Sequence, residues 1–112
     1  MKKGDLVVVP FPFTDLSSNK RRPACVLLIH ERDVVLAFIT TKLLYDPEFS
    51  VQLSPSKKNG LKRDSIIRID KIATLNVDLI VGLLGEISTD KVKELNKKMI
   101  EIYRLKNSSG EK

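Results

Sequence analysis

Residues 24–29, Ala-Cys-Val-Leu-Leu-Ile, are apolar without a break and stand between Pro23 and the polar triplet Glu31-Arg32-Asp33. A second, β-branched and apolar run fills residues 34–41 immediately afterwards. Two strand-length runs joined by a short polar turn predict an antiparallel hairpin. A strand with no polar alternation has to bury both faces, so residues 24–29 are expected at the centre of a sheet that is covered on either side. That requirement sets the rest of the architecture, because neighbouring strands must be found elsewhere in the chain.

They can be. Residues 6–9 form a β-branched run that ends at Pro10-Phe11-Pro12. Phe49, Val51 and Leu53 alternate with Ser50 and Gln52, the pattern of a half-buried strand. Residues 65–69 and 72–75 read as one strand with a break, and residues 79–84 as another. Between them, residues 14–20 and 54–63 are loops, the second carrying Pro55 and an Asn59-Gly60 turn. Near the end the period changes. Ser88 or Thr89 can cap a helix with Asp90 in its first turn, and Val92, Leu95, Met99 and Ile102 follow at helical spacing. Short strands with one terminal helix predict a mainly β, small antiparallel barrel with a C-terminal α-helix. Residues 1–106 are expected to be a single domain and residues 107–112 a flexible tail.

The longest apolar runs are far too short to span a bilayer, and the N-terminal run stops too soon for a secretory signal. A cytoplasmic protein with no membrane partner is therefore expected. Cys25 is the single cysteine among 112 residues, which excludes an internal disulfide and a multi-thiolate metal site. The formal net charge of +6 points to an anionic partner: nucleic acid, an acidic membrane surface or an acidic protein. Lys20-Arg21-Arg22, Lys57-Lys58 and Lys62-Arg63 fall in loop-like stretches, from which basic groups can converge on a groove. The same groups would equally serve solubility alone.

Familiar catalytic constellations are missing. His30 is the single histidine and sits at a turn, where a structural role is expected; Cys25 lies inside an apolar strand, where an inert thiol is expected. Gly82-Leu83-Leu84-Gly85 lacks the lysine and serine of a phosphate-binding loop, and no spaced carboxylate set suggests magnesium. An enzyme built from these residues would work with neither metal nor organic cofactor. One such reaction needs few parts. RNA carries its own nucleophile, the 2′-hydroxyl, already tethered beside the phosphodiester it attacks. A protein need only align the backbone, assist proton transfer and stabilise the charge developing on phosphate, for which an arginine and a hydroxyl suffice. In a hairpin turning at residues 31–33, residues 22–24 and 40–42 fall opposite one another. Arg22 and Thr40 are thereby brought to one edge of the sheet, although an ion-paired surface arginine and a strand-forming threonine would satisfy the same spacing.

Four segments, in order, resemble the MazF/PemK toxin family: Gly4-Asp5-Leu6-Val7-Val8-Val9-Pro10-Phe11; Lys20-Arg21-Arg22-Pro23-Ala24-Cys25-Val26-Leu27; Ala37-Phe38-Ile39-Thr40-Thr41; and Gly60-Leu61-Lys62-Arg63-Asp64-Ser65. The resemblance implies an SH3-like β-barrel with a terminal helix, a homodimer, and the toxin of a type II toxin–antitoxin pair that cleaves single-stranded RNA and halts translation. It implies Arg22 and Thr40 as the catalytic pair. Arg22 would move protons and stabilise charge, Thr40 would hold the scissile phosphate, and the products would carry a cyclic phosphate and a 5′-hydroxyl. Thr14, Asn19, Lys20, Arg21, Thr41, Arg63, Asp64 and Ser65 would contact RNA, and an acidic antitoxin would fill the groove when RNA does not. Some relatives place a histidine or an arginine–x–aspartate pair at the site; here the first loop has no histidine, and Arg63 and Asp64 are adjacent. Asp64 is accordingly not assigned as a base. Two other classes remain open: a non-catalytic poison of a protein target, like the gyrase-binding CcdB type, and a basic nucleic-acid-binding barrel. The tail has no aromatic residue to serve the first, and the chain has no tryptophan to serve the second.

Overall fold

The computed structural model describes residues 1–11 and 20–104; Thr14, Asn19 and residues 107–112 lie outside the described residues. Among the described residues six strands and one long helix follow in order: β1 (Asp5–Phe11), β2 (Lys20–His30), β3 (Asp33–Thr40), β4 (Ser50–Leu53), β5 (Ser65–Asn76), β6 (Gly82–Glu86) and α1 (Thr89–Tyr103). The strands form one sheet in the order β4-β5-β3-β2-β1-β6, antiparallel throughout and curled into a half-barrel. The expected mainly β fold with a terminal helix is present.

β2 lies inside the sheet because its sequence leaves no other place for it. Ala24, Cys25, Val26 and Leu27 are all buried, and they alternate between two cores. Cys25 and Leu27 point with Leu6, Ile39, Val51 and Ile67 into the core under α1, whereas Ala24 and Val26 join Val7, Val9, Leu36 and Phe38 on the other face. The continuous apolar run is the signature of this double burial. It ends one residue pair earlier than expected: a register shift between Val26 and Leu28 leaves Leu28 and Ile29 exposed. The hairpin turn is tighter than the polar triplet suggested, since His30 pairs with Asp33 and only Glu31 and Arg32 turn, Glu31 with φ 55°.

Three other expectations shift. β1 runs through Pro10 to Phe11, because its pairing with β6 has ended at Val8 and a proline there breaks no ladder on that side. Phe49 belongs to a 3-10 turn, Pro47–Phe49, which Asp46 caps by accepting from Glu48 N at 3.0 Å; the strand starts at Ser50. Likewise Val77–Leu79 is a 3-10 turn capped by Asn76, so β6 begins at Gly82 rather than 79. The break expected after residue 69 is a bulge: consecutive residues Ala37 and Phe38 of β3 face Ile72 and Arg68 of β5, which leaves Ile69, Asp70 and Lys71 unpaired with β3.

Helix α1 is capped by Ser88, whose side chain accepts from Lys91 N at 3.2 Å, and ends at Arg104 in the left-handed conformation. Its stripe behaves as expected: Leu95 is fully buried, and Val92, Met99 and Ile102 pack around it. The Lys98 ammonium donates to the carbonyls of Pro47 and Ser50, at 2.9 and 2.8 Å, pinning the helix to the start of β4. The free edges of β4 and β6 are joined by the loop between β4 and β5, where Glu86 N donates to Lys58 O at 2.9 Å. Two glycines allow this closure. A Cβ on Gly85 would lie 2.2 Å from Lys58 O, and one on Gly60, which has φ +71°, would lie 2.4 Å from Leu84 O.

Candidate functional site

A cleft opens where β2 and β3 stop pairing. The ladder between them ends at Ala24 and Phe38. Beyond that pair, residues 20–23 of β2 remain bonded to β1, with Arg22 opposite Val9, while β3 stays with β5 as far as Thr40 opposite Ile66. Pro23, having no N–H to contribute, occupies the first position past the end of the ladder. The resulting cleft, about 630 Å³, has Arg21, Arg22 and Pro23 on one lip and Ile39, Thr40, Thr41 and Lys42 on the other, with Tyr45, Ser65, Arg68 and Lys71 along its β5 side. Its size falls within the range, roughly 300–1,000 Å³, of small-ligand pockets.

Arg22 and Thr40 therefore border one cleft, as the hairpin arithmetic required. Arg22 is exposed, and its guanidinium donates to Arg21 O at 3.1 Å among its contacts. Thr40 is partly buried; its Oγ1 accepts the Lys42 N–H at 3.1 Å. That bond occupies a lone pair and leaves the hydroxyl proton to donate elsewhere. Arg21, Thr41 and Ser65 also line the cleft, although the Ser65 hydroxyl, 3% exposed, is committed to Arg63 O at 2.9 Å. Lys20, Arg63 and Asp64 are exposed but are not part of the lining.

Sequence reasoning missed a cluster on the cleft's β5 side. The Arg68 guanidinium donates to Asp70 at 3.1 and 3.3 Å and to the Tyr45 hydroxyl at 2.7 Å, and it lies over the Tyr45 ring at 4.2 Å from the centroid. The Tyr45 hydroxyl in turn donates to Asp70. Partial desolvation would raise the Asp70 carboxyl, but the Arg68 and Tyr45 hydrogen bonds outweigh it and hold the group below its ordinary range. The Asp70 carboxylate is also the main reason that Tyr45 holds its proton more tightly than a free phenol. Arg68-Ile69-Asp70 has the arginine–x–aspartate spacing that Arg63-Asp64 lacks, and that spacing was the signal available in the sequence.

Among the described residues the lining includes Arg21, Arg22, Lys42, Arg68 and Lys71 and no carboxylate. Such a surface suits a polyanion, with the hydroxyl of Thr40 as a further donor. Among the described residues no group of three or more histidine, cysteine or acidic side chains is arranged to hold a metal ion. His30 is exposed at the far end of β2, and Cys25 is buried with its thiol pushed up to about 12 by desolvation, so neither is poised for chemistry. No helix among the described residues is long and apolar enough to cross a membrane.

Solved structures share this architecture. A Mycobacterium tuberculosis toxin, MazF-mt6, superposes with a TM-score of 0.74 at 19% identity, covering 92% of this chain and 99% of its own. An endoribonuclease in complex with its cognate antitoxin, from a mycobacterial species, gives 0.71 at 21% identity, with 96% and 97% covered. A further mycobacterial endoribonuclease gives 0.69 at 20%, with 90% and 88% covered. No curated protein matches the chain. Residues 2–103, from the first strand to the end of α1, fit the family model of PemK-like, MazF-like toxins of type II toxin–antitoxin systems, and the chain belongs to that family.

Proposed function

We propose that this toxin is an endoribonuclease that cuts single-stranded RNA without a metal, using Arg22 and Thr40 across the cleft. The observation that carries the reading is their placement on opposite lips of one cation-lined opening. A phosphodiester seated there meets a planar guanidinium that can bond two of its oxygens and a hydroxyl whose free proton can bond a third. Attack by the neighbouring 2′-oxygen adds negative charge to that phosphate, and donors already in place stabilise it more than the ground state. Arg22 contributes charge and hydrogen bonds and, with water, passes the 2′-proton on to the departing 5′-oxygen. The bond to the 5′-oxygen breaks, giving a 2′,3′-cyclic phosphate and a 5′-hydroxyl.

The remaining roles follow the same surface. Arg21, Thr41 and Ser65 contact the RNA inside the cleft, Lys20, Arg63 and Asp64 beside it, and Thr14 and Asn19 are proposed as further RNA contacts. An acidic antitoxin segment would compete for the same basic lining. The toxin acts in the cytoplasm, as a homodimer, where cutting messenger RNA stops translation.

The test is to incubate the protein with an unstructured RNA in EDTA and identify the product ends. Cyclic phosphate and 5′-hydroxyl ends support the reading. Uncut RNA, or 5′-phosphate ends, would overturn it.

A further inference from the structure

The Tyr45–Arg68–Asp70 cluster is more than a surface ion pair. An exposed salt bridge needs no tyrosine, and a loop tyrosine needs no anchoring. Here the phenol is fixed at its tip by Asp70, and one ring face is covered by the Arg68 guanidinium at 4.2 Å. Arg68 itself is held by three hydrogen bonds, two to Asp70 and one to Tyr45. The bulge at residues 69–71 places Asp70 outside the β3 ladder, where it can make these bonds. Tyr45 is only partly buried and lines the same cleft as Arg22 and Thr40, between the β3 lip and Arg68. Phe38 also lines the cleft but is 7% exposed, committed to the core. Among the described residues Tyr45 is thus the aromatic ring of the cleft with surface to offer.

We propose that Tyr45, braced by Arg68 and Asp70, is a stacking platform for a nucleobase next to the phosphate held by Arg22 and Thr40. The proposal rests on the ribonuclease reading and adds how the substrate is held. An immobilised ring loses little entropy on binding, and a guanidinium against one face leaves the other to a base. Stacking is tolerant of base identity, so Tyr45 fixes the position of a nucleotide and leaves the choice of base to hydrogen-bonding groups nearby. Asp70 acts as a positioning residue, through Tyr45 and Arg68.

The experiment uses an oligonucleotide spanning a mapped cleavage site, with 2′-deoxyribose at the attacking nucleotide so that it binds uncut. 2-Aminopurine is placed at each neighbouring position in turn. Wild-type protein is expected to quench its fluorescence at one position beside the scissile phosphate. Tyr45→Ala is expected to lose that quenching and to bind at least about fivefold more weakly, the lower end of the loss per stacked base. Tyr45→Phe keeps the quenching. An abasic residue at that position weakens the wild type and leaves Tyr45→Ala unaffected. If Tyr45→Ala folds poorly, Tyr45→Leu is held to the same outcomes. Unchanged quenching in the variant, or equal weakening of variant and wild type by the abasic residue, would overturn the proposal. Should such a protein still cut RNA in an Arg22-dependent way, the stacking proposal fails alone; a wild type that neither binds nor cuts RNA ends both.

Discussion

Arg22 and Thr40 each stand two residues past the last pair of the β2–β3 ladder, Ala24 with Phe38, and border one cleft from strands that have parted to different neighbours. Neither side chain belongs to the core. The sheet fixes the backbone beneath them, and both side chains line the cleft. This separation of scaffold from chemistry lets each be changed without the other.

Thr40→Val removes the hydroxyl while keeping the shape, and of the fold it gives up the acceptor of the exposed Lys42 N–H. A hydrogen bond to a charged group contributes about 1.5–3 kcal/mol, so cleavage should fall roughly ten- to a hundredfold. Thr40→Ser, which restores the donor, should recover most of the rate. Single-turnover kinetics on one oligonucleotide distinguishes the three proteins.

Gly85→Ala should loosen the closure of the sheet. The new Cβ would meet Lys58 O at 2.2 Å and Asn59 backbone atoms at 2.8 and 3.0 Å, so the loop must move off β6. Overpacking of this kind costs about 1–3 kcal/mol. The urea midpoint of the variant, measured beside the wild type, should be correspondingly lower.

Acid should weaken the fold through Asp5 among others. Burial alone would raise its carboxyl, but the Lys2 ammonium at 2.8 Å and the Lys2 backbone N–H at 2.9 Å overcome that and lower it. Asp70, Glu86 and Glu94 are lowered too, with hydrogen bonds from cationic side chains among the causes of each. A carboxyl that is more acidic in the folded chain binds fewer protons there than when unfolded. Its stabilisation is complete above the ordinary carboxylate range, about pH 4, and is lost as the pH falls through the lower folded value. Urea midpoints should therefore hold steady from pH 7 to 5 and drop below about pH 4. Asp5→Asn should flatten part of that drop.

Cys25 should be silent in the native protein. Its thiol is fully buried and, by desolvation, pushed up to about 12, so little thiolate exists at pH 8. Reaction with a disulfide reagent is expected only as fast as the protein opens, and at once in denaturant.

How much of this the residues announced depends on the range of the interactions. The hairpin, the cap at Ser88 and the stripe around Leu95 rest on contacts a few residues apart, and each was readable from period and turn chemistry. Arg22 beside Thr40 was readable for the same reason, because a short turn fixes the register of everything beyond it. The Tyr45–Arg68–Asp70 cluster joins residues more than twenty apart through the β3–β5 pairing and a bulge that no local pattern encodes. Phe49 had the alternation of a strand, yet Asp46-Pro47 started a 3-10 turn through it, local capping prevailing over periodicity. Gly60 and Gly85 read as ordinary turn and strand glycines until the loop and β6 edge came together.

The central claim is tested most directly by Arg22→Ala assayed on unstructured RNA, with circular dichroism and a melting curve to verify the fold. Arg22 is exposed, so the variant should melt within a few degrees of the wild type, while cleavage falls by at least about a hundredfold, the scale of losing one transition-state donor. A folded Arg22→Ala protein that cuts RNA at the wild-type rate would contradict the account.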